Sequence, residues 1–89
     1  MVRTTTAGVF AGLLESLDGQ IGVMRDARRI WYWDGAATLS QLAMEGTKSP
    51  EKCKFPQPVD AVMLMDIIEI IPMTPTAIAS IAKVPLWKR

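Results

Sequence analysis

Val9-Phe10-Ala11-Gly12-Leu13-Leu14-Glu15-Ser16-Leu17-Asp18-Gly19-Gln20-Ile21-Gly22-Val23-Met24-Arg25-Asp26-Ala27-Arg28-Arg29 is the stretch whose reading decides the fold. Two apolar runs flank Asp18-Gly19, a pair of residues that tolerates the positive φ of a tight hairpin turn. A two-residue turn at that pair sets Leu17 opposite Gln20, Leu14 opposite Val23, Phe10 opposite Ala27 and Gly8 opposite Arg29. One hairpin face then carries Phe10, Gly12, Leu14, Ile21, Val23 and Ala27. The other carries Val9, Ala11, Leu13 and Met24 beside Glu15, Asp26 and Arg28. That second face is too apolar for an ordinary solvated surface. Either the C-terminal half of the chain covers it, or it is a subunit interface.

Outward from the hairpin, Val2 to Thr6 is β-branched and reads as a first strand, with a bend at Ala7-Gly8. The second hairpin strand is expected to continue through Ile30-Trp31-Tyr32-Trp33 to a turn at Asp34-Gly35. Thr38 followed by Gln41 is a helix-start signature, with Gly46 as the stop. Thr47 to Pro58, polar and proline-rich, reads as a surface loop. Asp60 to Met65 and Ile67 to Pro72 are apolar runs. Thr74-Pro75 opens a second short helix over Ala77 to Lys83, and Val84 to Arg89 is an extended tail. The expected fold is α+β and mainly β: a small, strongly bent antiparallel sheet or partial barrel with two short helices, in one domain over residues 1–89.

Composition narrows the chemistry. The 89 residues are 49% hydrophobic and 21% charged, with net charge +1, one cysteine and no histidine. Near-neutral charge argues against a general phosphate-backbone binder, so a nucleic-acid partner is disfavoured. One cysteine cannot build a disulfide framework, and without histidine the usual zinc spacings cannot be written. Histidine is also the commonest general base. No phosphate-binding loop, dinucleotide fingerprint or nucleophile elbow is present. The expectation is a non-enzymatic binding or assembly protein with no cofactor, no metal and no catalytic residue. The N-terminal residues show no signal-peptide pattern, and the run from Ala61 to Met73 is too short and too charged to cross a bilayer. A soluble, intracellular protein is expected.

Chemistry concentrates in Arg25-Asp26-Ala27-Arg28-Arg29-Ile30-Trp31-Tyr32-Trp33. In a continuous strand Arg25, Arg29, Trp31 and Trp33 share one face, which places guanidinium groups beside indoles. Guanidinium pairs with phosphate and an indole stacks a nucleobase. The same residues equally suit core anchors, ion pairs or a subunit interface. Thr4 and Thr6 offer hydroxyls, or simply reflect strand propensity. Glu69, between pairs of isoleucines, reads as the partner of an arginine rather than a catalytic base. Cys53 reads as an incidental thiol. Lys48, Lys52 and Lys54 form a solvated loop or the gate of an anion site.

Val2-Arg3-Thr4, Ala7 to Leu13, Asp26 to Ala36, Leu39-Ser40 and Ile68 to Pro72 resemble a family of small tailed-bacteriophage proteins of uncharacterised function. The resemblance covers nearly the whole chain, and its most specific part is Ala27-Arg28-Arg29-Ile30-Trp31-Tyr32-Trp33-x-Gly35-Ala36. Small phage proteins without an enzyme motif often act in counter-defence. At this looser level the chain resembles the sponges, homo-oligomers that sequester nucleotide second messengers of defence systems such as CBASS and Thoeris. The resemblance implies a homo-oligomer in the host cytoplasm that binds a cyclic nucleotide or related small anionic signal without cleaving it. Joined to the chemistry above, Arg28 and Arg29 would neutralise phosphates, Trp31 or Trp33 would stack a base, and Thr4, Thr6 or Ser40 would add polar contacts. The alternative is a phage assembly or host-protein-binding module with no small-molecule ligand.

Overall fold

A computed structural model describes residues 1–88. The fold is α+β and mainly β. Strands β1 (Val2–Thr4), β2 (Val9–Asp18) and β3 (Ile21–Arg29) precede helix α1 (Leu39–Glu45). Strands β4 (Val59–Leu64) and β5 (Ile67–Ile70) and helix α2 (Pro75–Ala82) follow. All five strands form one open antiparallel sheet in the order β4-β3-β2-β1-β5. Edge strands β4 and β5 are joined by Met65-Asp66 alone, so the two edges converge at that corner and the sheet is strongly curled.

Strand alternation divides the apolar residues between two cores. Val2, Phe10, Met24, Ala27, Leu64 and Ile67 form a cluster to which every strand contributes, including both edges, and the sheet wraps around it. Their chain neighbours Met1 and Ala11 face the opposite way. There they join Ile30, Leu42, Ala43, Phe55, Ile81 and Val84 in a second cluster beneath the helices.

The hairpin forms, but its register differs from the one expected. Asp18 pairs with Ile21, leaving Gly19-Gln20 as the turn, and Gly19 has φ 61°. Glycine as first turn residue with positive φ is a preferred two-residue hairpin geometry. Two bulges then shift the pairing again. Glu15 is extra on β2, between the pairs Leu14–Met24 and Ser16–Val23. Asp26 is extra on β3, between Leu13–Arg25 and Ala11–Arg28, and adopts φ 49°. Each bulge reverses the side on which later residues project.

The second hairpin face is corrected accordingly. Met24 is fully buried in the strand-side core. Ala11 is buried and Val9 packs in the helix-side core, covered by the C-terminal half of the chain. Leu13 alone of the four stays open, 65% exposed.

Both helices start where their caps stand. Thr38 accepts from the Gln41 amide at 3.1 Å, and Gln41 Oε1 accepts from the Ala37 amide at 2.9 Å. Thr74 Oγ1 accepts from the Ala77 amide, with Pro75 opening the first turn of α2. The expected strand through Trp33 is shorter in the structure: β3 ends at Arg29, and beyond it Tyr32 makes an isolated bridge to Lys54. Among the described residues, no helix is long and apolar enough to cross a membrane.

Candidate functional site

The bulge at Asp26 and the early end of β3 break up the expected arginine–indole face, removing Arg25 and Trp33 from it. Arg25 pairs with Glu15 across the hairpin at 2.9 Å. Arg29 projects toward Phe10, with its guanidinium carbon 4.7 Å from the ring centroid. Trp31 turns to a partner from the other end of the chain.

Arg28 is 7% exposed and does not present its charge to solvent. Its Nε donates to the Pro56 carbonyl at 3.2 Å and its Nη1 to the Ile81 carbonyl at 3.0 Å. Its Nη2 donates to the carbonyls of Phe55 (3.2 Å), Val84 (2.8 Å) and Pro85 (3.1 Å). The guanidinium also lies 5.4 Å from the Phe55 ring centroid. Burial lowers its pKa from the ordinary arginine value, and the nearby Cys53 thiol acts in the opposite direction. A guanidinium nevertheless stays charged. Here the compensation comes from carbonyl dipoles, including one in the last turn of α2, where a cation is favoured. The expectation that Arg28 neutralises a ligand phosphate is therefore corrected: its donors clamp three chain segments together.

The remaining expected residues are scattered. Trp33 is half-buried against the helix-side core, and its Nε1 donates to the Ala36 carbonyl at 3.2 Å. Thr4 is buried, its hydroxyl donating to the Gly8 carbonyl and accepting from the Ala7 amide, which shapes the bend between β1 and β2. Thr6 donates from both amide and hydroxyl to Asp66 Oδ2. Ser40 is exposed in the first turn of α1. These polar groups serve local turns or stand apart, and they do not form one site with the arginines. Glu69 pairs with Arg3 at 3.0 Å on the surface.

What the structure does assemble is an exposed aromatic platform. Trp31 and Trp87 stack with ring centroids 4.9 Å apart and planes within 9°. The segment around Phe55 brings them together: Tyr32 and Lys54 bridge on one side, and Trp87 donates its amide to the Phe55 carbonyl on the other. The Lys54 ammonium lies 5.4 Å from the Trp31 ring, 5.8 Å from the Trp87 ring and 5.6 Å from the Tyr32 ring. Near-equal distances to two stacked rings place the cation beside the pair rather than on its outer face. Trp31 is 58% exposed, so that outer face is open. A flat π surface with an ammonium at its side can stack an aromatic ring and attract an anion attached to it. Sequence reasoning named Trp31, named Lys54 only within a solvated loop or anion gate, and missed Trp87. A third tryptophan in the C-terminal tail, and a lysine immediately before Phe55, were the signals available.

Two concavities stand out on the surface. One, about 310 Å³, is lined by Phe10, Ala27, Arg29, Pro56, Val59 and Val62 among others. A wider groove of about 560 Å³ lies between the Gly12–Asp26 bulge and α2, with Leu13, Met73 and Ile78 on its walls. Among the described residues, no group of three or more potential ligands is placed to hold a metal ion.

No curated protein and no solved structure matches this chain. A family model does match, over residues 1–81 of the 89, and the chain belongs to that family, whose description is "Domain of unknown function (DUF6948)".

Proposed function

We propose that this protein acts by binding rather than catalysis: a homo-oligomeric phage sponge that sequesters a nucleotide immune signal, of the cyclic oligonucleotide or cyclic ADP-ribose type, in the host cytoplasm. The observation that carries the reading is the open Trp31–Trp87 stack with Lys54 at its side. Such a platform takes a nucleobase on its π face and a phosphate on its cation, and sequestration requires affinity alone. The sequence resemblance to small phage proteins supplies the biological setting. Exposed Leu13 and Ile78, both on the wide groove, supply apolar surface for self-association. The test is calorimetric titration with a panel of cyclic di- and trinucleotides and cyclic ADP-ribose isomers. Saturable heat with one of them, lost in Trp31→Ala, is the expected result; no heat with any member sinks the reading.

A second reading has its own observation. Met63, Met65 and Ile68 are exposed around the β4–β5 corner, at 57%, 66% and 46%. An apolar corner where two sheet edges meet suits a phage assembly or host-protein-binding module. That reading predicts co-purification with a virion or host protein, no nucleotide affinity, and loss of the complex in Met63→Asp.

A further inference from the structure

Of the four described arginines, three have oxygen partners: Arg3 on Glu69, Arg25 on Glu15 and Arg28 on five carbonyls. Arg29 has none among the described residues. It is exposed, and its guanidinium rests on the Phe10 ring at the 310 Å³ concavity.

Two antiparallel pieces of chain, residues 29–31 and 54–56, connect this concavity to the aromatic platform. Ile30 and Phe55 are both turned into the helix-side core, at 3% and 0% exposure. Their chain neighbours are turned the other way: Arg29 and Trp31 about one, Lys54 and Pro56 about the other. Arg29 and Pro56 line the concavity, while Trp31 and Lys54 belong to the platform. Alternate residues of an extended chain have Cα atoms about 6–7 Å apart, so Arg29 and Trp31 are near neighbours along one strip of chain.

We propose that Arg29 and its concavity form an anion subsite serving the same ligand whose ring stacks on Trp31. This rests on the nucleotide reading above and deepens it: the ligand class is an aromatic base joined to a phosphate, not a free base and not an inorganic anion. The contact of the Arg29 guanidinium with the Phe10 ring restricts its motion and leaves its N–H groups unpaired among the described residues. The Phe10, Ala27 and Val62 floor shields the ion pair from water on one side, which strengthens it. Volume of this order is at the lower end of ligand pockets and accommodates a sugar phosphate.

Tryptophan fluorescence, titrated with adenosine, with AMP and with cyclic di-AMP, tests the assignment. The phosphorylated probes are expected to bind about tenfold or more tightly than adenosine. Arg29→Ala, checked for folding by circular dichroism and melting, is expected to bring their affinities down to that of adenosine while leaving adenosine unchanged. Arg29→Lys is expected to restore part of the difference. If the phosphorylated probes quench but Arg29→Ala preserves their advantage, the subsite is overturned and the platform stands. If none of the probes alters the fluorescence, the platform reading fails and the subsite fails with it.

Discussion

The guanidinium of Arg28 donates to the Val84 carbonyl at 2.8 Å, tying the end of the hairpin to the chain just beyond the last helix. Four further carbonyls, on Phe55, Pro56, Ile81 and Pro85, close around the same side chain. Because Trp87 lies two residues beyond Pro85 and its amide donates to the Phe55 carbonyl, this clamp also helps to set where the platform's second indole comes to rest.

Arg28→Ala is expected to lower unfolding free energy by about 3 kcal/mol or more, since it strips partners from several buried carbonyls at once. Arg28→Lys should recover only part of this, because a compact ammonium cannot span the fork of acceptors. Urea denaturation of the three proteins, read as midpoint and slope, checks the order wild type, Lys, Ala.

Gly12→Ala is expected to destabilise by about 1–3 kcal/mol. A Cβ at this position would stand 2.9 Å from the Arg25 carbonyl oxygen and 3.0 Å from Ala27 Cα and the Asp26 carbonyl oxygen. All three are backbone atoms of the bulge, which cannot swing aside as a side chain does. Thermal melting gives the measurement, and an unchanged melting temperature would show that the bulge shifts freely.

At the bulge residue itself, φ 49° is a conformation that asparagine, aspartate and glycine adopt more readily than branched residues. Asp26→Asn and Asp26→Gly should stay within about 0.5 kcal/mol of wild type, whereas Asp26→Val should lose at least about 1 kcal/mol. Equal stability of all three variants would contradict the left-handed bulge.

Under the proposed nucleotide binding, Trp31→Ala and Trp87→Ala are each expected to weaken affinity about tenfold, as loss of a stacking ring does. Trp31→Ala should cost little stability, because that ring is mostly in solvent. Comparing binding isotherms with melting curves for the pair separates a ligand platform from a structural one.

Under the proposed self-association, the double substitution Leu13→Asp with Ile78→Asp should shift the protein to a monomer in sedimentation velocity at matched concentration, given the two exposed side chains on one groove. An unchanged sedimentation coefficient would remove this groove as the contact between copies.

Local chemistry was legible in the residues alone. Asp18-Gly19 announced the hairpin, Thr38 with Gln41 and Thr74 with Pro75 announced the helix starts, and alternating apolar residues announced a sheet with a buried face. Each of these acts over a few neighbouring residues, so spacing suffices to read it. The candidate site was only half legible. Trp31 was named from its neighbours, but its partner lies 56 positions along the chain and meets it only because Phe55 bridges the two segments.

Tertiary structure decided the rest. Bulges at Glu15 and Asp26 moved Met24 off the face it was expected to share with Ala11 and Arg28 and buried it in the strand-side core. A bulge depends on how two backbones fit across the sheet, and a strict period of two cannot anticipate it. Arg28 and Arg29 illustrate the outcome. Adjacent and chemically identical, they differ because one points beneath the helices, where carbonyls use its donors, and the other toward an open concavity.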